Sequence, residues 1–134
     1  MPPTDDQAIK KTIEDVVREV GLYPLEAYRF VQEGLAHTVD KLHGEESEHE
    51  SRHISGAELC EGLREFALQQ YGLLASVVLR RWNITGTLDF GRIVFAMIES
   101  KMMSKTDGDK LEDFRGVYEF KKAFGAAYKI ELKG

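Results

Sequence analysis

The sequence predicts a mainly α-helical single domain of five to six helices, with a small β element near the C-terminus. Two observations predict the helices. Apolar residues recur at helical intervals along most of the 134 residues, and those runs are punctuated by Ser/Thr starts and Gly stops. A third predicts the β element: residues 128–132 alternate as Tyr-Lys-Ile-Glu-Leu, the period of a half-buried strand.

The first helix is expected over residues 4–20. Thr4 and Gln7 have capping-box spacing, Ile9, Ile13, Val16, Val17 and Val20 form an apolar stripe, and Gly21 is a left-handed stop. The second is expected over residues 23–42, with Pro24 at its first position and Tyr28, Val31, Leu35, Val39 and Leu42 facing inward. Gly34 inside it implies a close helix crossing. Residues 44–53 are the most polar stretch and read as an exposed acidic linker within the domain.

Residues 55–103 hold the strongest apolar periodicity and form the expected hub. Ser55 and Glu58 make a second capping box, with Ile54 placed to staple Leu59, and the third helix runs to Tyr71 before Gly72. A short fourth helix over residues 73–82 carries Leu74, Ala75, Val77, Val78 and Leu79, an apolar girdle that predicts burial on more than one side. The fifth is expected over residues 87–103, capped by Thr87, with Phe90, Ile93, Val94, Met97 and Ile98 as its core face. Residues 104–113 are polar. A sixth helix is expected to start near Asp109 and to include Phe114, Val117, Tyr118 and Phe124. The strand at 128–132 would pair with His53–Ile54 or with residues 104–109.

Composition narrows the function classes. Apolar residues make up 43% and charged ones 31%, so a packed core is expected and wholesale disorder is not. The net charge of −5 disfavours nucleic acid as a partner, although a local basic patch would permit it. A single cysteine, Cys60, allows no internal disulfide and fits a reducing compartment. The start of the chain lacks the basic and apolar regions of a signal peptide, and no apolar run is long enough to span a bilayer. The expectation is a cytoplasmic protein with no membrane contact.

His49-Glu50-Ser51-Arg52-His53 matches the zinc-peptidase pattern H-E-x-x-H. That chemistry needs a stable helix, to set both imidazoles on one metal and the Glu on its water. Here the pattern lies in the polar linker, directly before a helix start, so His49 and His53 are weak metal candidates and a zinc hydrolase ranks last. Asp107, Asp109, Glu112 and Asp113 resemble half an EF-hand, without its central glycine or closing Glu. Asp89-Phe90-Gly91 copies a kinase triplet with none of the accompanying loops. Cys60 has acidic neighbours, Glu58 and Glu61, which favour an inert thiol over a nucleophile. Trp82 and Tyr71 are expected at the core or its rim. No catalytic residue and no cofactor are predicted, and the chain leans away from being an enzyme.

Two binding readings remain. Arg80, Arg81, Arg92, Lys101 and Lys105 give residues 80–105 a local positive balance against Asp89 and Glu99. A winged-helix arrangement would turn them toward phosphates, with a wing after the fifth helix. The leading expectation is instead a non-enzymatic interaction module. Its partner, another protein or a second copy of the chain, would dock on a helical groove or an exposed apolar face.

Several segments are similar to an uncharacterised family of short bacterial proteins of planctomycete and verrucomicrobial type. They are Tyr23-Pro-Leu-Glu-Ala-Tyr, His53-Ile-Ser-Gly-Ala-Glu-Leu, Tyr71-Gly-Leu-Leu-Ala, Leu79-Arg-Arg-Trp-Asn-Ile-Thr, Asp89-Phe-Gly-Arg-Ile-Val-Phe, and Ser104-Lys-Thr-Asp with Glu112-Asp-Phe. The resemblance implies a bacterial cytoplasmic protein and carries over no catalytic residues. It leaves His49 and Glu50 outside its segments and sets His53 beside a helix cap.

Overall fold

The structure is a computed structural model that describes residues 12–44, 54–101, 103 and 109–125. Within them the chain is mainly helical. The order is α1 (Ile13–Val20), α2 (Leu25–Leu42), α3 (Gly56–Tyr71), a 3-10 turn (Gly72–Leu74), α4 (Ala75–Arg81), α5 (Thr87–Glu99), a second 3-10 turn (Leu111–Phe114) and α6, residues 120–125. No strand occurs among the described residues. The expected strand at 128–132, residues 45–53 of the expected 44–53 linker, and the Thr4–Gln7 box lie outside them.

Each start has a local cause. Thr12, in extended backbone, caps α1: its hydroxyl accepts from Asp15 N–H at 3.1 Å and its own N–H donates to the Asp15 carboxylate at 3.2 Å. The helix expected over 4–20 therefore does not run through residue 12. Gly21, at φ +71, ends α1. Pro24 is the N-cap of α2, one position earlier than expected. The Ser55–Glu58 box caps α3 as the sequence predicts.

α2 lies along α3, and α5 fills the space against α2, α3 and the 111–114 turn. Gly34 and Gly62 make the α2–α3 approach close. A Cβ at Gly34 would stand 2.3 Å from Leu63 Cδ2, and one at Gly62 would stand 1.8 Å from Thr38 Oγ1. The buried cluster joins Val16 of α1, Tyr28 and Val31 of α2, Leu63 of α3, Leu79 of α4, and Phe90, Ile93 and Met97 of α5. Phe30 sits among Phe66, Tyr71, Trp82 and Phe90, with ring centroids 5.4 to 6.4 Å away.

Three other expectations are corrected. Thr87 is the first residue of α5, not its cap; its hydroxyl donates to Phe114 O at 2.6 Å and accepts from Val117 N–H at 3.0 Å. α5 stops at Glu99, with Lys101 at φ +67 just beyond, four residues short of the predicted end. The sixth helix does not run from Asp109 to Phe124. Gly116, at φ +61, breaks it, and helix resumes only at residue 120.

Candidate interaction groove

The fourth helix departs most from expectation. Only Ala75 and Leu79 of α4 are buried, four residues apart and so on one face. Leu73, Val77 and Arg80 fall on a second stripe that faces away from the core, with Leu74 beside it. Leu74 is 60% exposed, Val77 44% and Leu73 37%. Half of the large exposed apolar side chains of the described residues are therefore gathered on the Gly72–Leu74 turn and α4, the other three being Leu22, Leu42 and Leu111.

That stripe is one wall of a groove of about 970 Å³. Ile84, Thr87 and Leu88 line its base, and Tyr118, Phe120, Lys121, Phe124 and Gly125 line the opposite wall. The second wall is fastened to the core in three places. Thr87 ties residues 114–117 to α5, Tyr118 Oη donates to Cys60 O at 2.7 Å, and Arg64 Nε donates to Ala123 O at 3.2 Å. Edge-on and stacked contacts among Tyr118, Phe120 and Phe124, with centroids 5.1 to 6.3 Å apart, stiffen it. Burial drives the Tyr118 hydroxyl pKa well above the usual phenol range, so it remains a donor.

The predicted basic residues separate in space. Arg80 lines the groove and Arg81, next to it, is exposed. Arg92 is held by Asp89, Nη1 to Oδ1 at 3.2 Å, and Lys101 is exposed past the end of α5. Lys105, His49 and His53 lie outside the described residues. Lys121, which lines the facing wall, is not marked by the sequence, because it lies in a segment whose helix is set by the Gly116 break. Among the described residues neither Arg80 nor Lys121 forms an ion pair, whereas the third charged lining residue, Glu119, has Lys122 at 3.9 Å.

The other convergent polar cluster is structural. Asp89, 8% exposed, accepts from Tyr23 Oη at 2.5 Å on Oδ1, and from Thr85 N–H at 2.9 Å and Gly86 N–H at 3.3 Å on Oδ2. Its oxygens are committed to capping α5 and to tying the α1–α2 turn onto it. Desolvation, reinforced by Asp89, raises the Tyr23 pKa well above its ordinary value, so the phenol holds its proton. Cys60 is buried and its thiol is pushed up to about 12 by desolvation and then by Glu61, which removes nucleophilic character. Among the described residues no three of His, Cys, Asp and Glu gather where they could hold a metal, and no helix is long and apolar enough to cross a membrane.

No protein family, no curated protein and no solved structure matches the chain.

Proposed function

We propose that the protein is an interaction module that receives a segment of another polypeptide in the groove between α4 and α6. The observation that carries this reading is the exposed Leu73–Leu74–Val77 stripe on a wall whose reverse side is anchored by buried Ala75 and Leu79. Apolar side chains on a rigid, concave surface lose water without an ordering cost when a complementary segment covers them. The winged-helix alternative draws less support. α5 would be its recognition helix, yet Phe90, Gly91, Ile93, Val94 and Met97 bury it against its neighbours.

The test compares Leu74→Asp/Val77→Asp with a control, Leu22→Asp/Leu111→Asp, as tagged chains in the native host. All four positions are exposed, so both variants should unfold within about 1 kcal/mol of the parent. The groove variant should lose the protein that co-purifies with the parent, and the control should keep it. Equal retention by both would contradict the reading.

A further inference from the structure

We infer that the segment received by this groove is an acidic amphipathic helix of about three turns, an inference that rests on the interaction reading above. Charge complementarity argues for it. The chain as a whole carries −5, yet the groove inverts that sign locally. Arg80 lines one wall and Lys121 the other, with no carboxylate paired to either among the described residues. Glu119, the acidic lining residue, has Lys122 as its partner.

Two cations without an ion-pair partner among the described residues, on facing walls of an apolar trough, match a ligand with an apolar stripe flanked on both sides by Asp or Glu. Such a helix sets its stripe on Leu73, Leu74, Val77 and Phe120 and offers carboxylates to Arg80 and Lys121. The length follows from the wall. The Gly72–Leu74 turn and α4 together make ten residues, which extend roughly 15 Å, close to three turns of α-helix. Charge at a groove rim acts mainly on association rate and partner choice, so the preference for acid should weaken with salt.

The test uses three synthetic peptides of about three turns with one shared Leu stripe and polar faces of Glu, Gln or Lys, titrated against the full chain by fluorescence anisotropy. The Glu peptide should bind at least about tenfold tighter than the Lys peptide at low salt. Arg80→Glu and Lys121→Glu, checked for folding by circular dichroism, should each narrow that gap, and together reverse it. Equal binding of all three peptides, or a preference that neither substitution moves, would overturn the acidic partner while leaving the groove reading intact. Failure of every peptide, together with no loss of co-purifying protein in the Leu74→Asp/Val77→Asp chain, would remove both.

Three other occupants would also overturn the inference. Binding that appears only after Tyr128, Ile130 and Leu132 are all replaced by Ser would assign the groove to the chain's own end. A dimer in sedimentation that Val77→Asp splits would assign it to a second copy. Binding to phosphatidylglycerol vesicles through Arg80 and Lys121, without binding of the Glu peptide, would assign it to a lipid surface.

Discussion

Tyr23 and Tyr28 are five residues apart, both deeply buried and in edge-on contact at 6.3 Å, yet their hydroxyls differ in consequence. Tyr23 Oη donates to Asp89, while Tyr28 Oη is buried without a hydrogen-bond partner among the described residues. An unmade hydrogen bond in the interior costs free energy, and removing the orphan group relieves it. Tyr28→Phe should therefore leave stability unchanged or raise it by up to about 1 kcal/mol, whereas Tyr23→Phe should lower it by about 1–2 kcal/mol. Urea unfolding of the two variants side by side checks this, and a larger loss for Tyr28→Phe would show that its hydroxyl is satisfied. Neither partner was legible in the sequence. Tyr23 and Asp89 are 66 positions apart, and no local pattern marks two side chains that meet through tertiary packing.

At the scale of elements, local chemistry was the readable part. The Ser55–Glu58 box, the Gly21 and Gly72 stops and the Gly34 crossing need only neighbours in sequence or the lack of a side chain. Gly62 is the counterpart that the sequence did not reveal, since nothing near it points to Thr38 on α2. Gly62→Ala would drive a methyl into the Thr38 side chain, whose hydroxyl is engaged with Gly34 O at 2.7 Å. It should cost about 1–3 kcal/mol by overpacking. Gly125→Ala, with nothing among the described residues within 4 Å of the new Cβ, should be neutral or gain about 0.5 kcal/mol from helix propensity. Thermal unfolding of both decides whether the crossing needs a bare backbone.

The groove wall is hidden from the sequence for a related reason. Leu74, Ala75, Val77, Val78 and Leu79 form a run apolar on every side, which periodicity alone assigns to the interior. The 3-10 turn that Gly72 opens, at φ +52, orients α4 so that only Ala75 and Leu79 turn inward. Apolar residues on an outward face carry the same hydropathy as those in a core. The facing wall was hidden twice, by the Gly116 break and by the Thr87 hydroxyl, whose bonds to residues 114 and 117 look in sequence like a helix cap.

Across the whole molecule, alkaline pH is where stability should fall. Desolvation raises the pKa of Tyr23, Tyr28, Tyr118 and Cys60, so each holds its proton in the folded state beyond the pH at which it is released in the unfolded chain. Their stabilising contribution is complete below the unfolded values, near pH 8.5 for the thiol and about 10 for the phenols. It is lost as pH rises, because the folded state then binds more protons than the unfolded one. Unfolding free energies from urea titrations should be flat across neutral pH and decline above about pH 9, with a slope approaching 1.4 kcal/mol per pH unit for each group titrating. Tyr118→Phe should make the decline shallower. A profile that stays flat to pH 11 would contradict the burial of these four groups.

The central claim is that the α4–α6 groove is a docking surface for another polypeptide. A photocrosslinking residue at position 74, expressed in the native host beside the same residue at exposed position 22, tests it most directly. The account predicts a discrete crosslinked protein from position 74, absent from position 22 and diminished when Val77 is changed to Asp. No crosslink from position 74, or the same products from both positions, would contradict it.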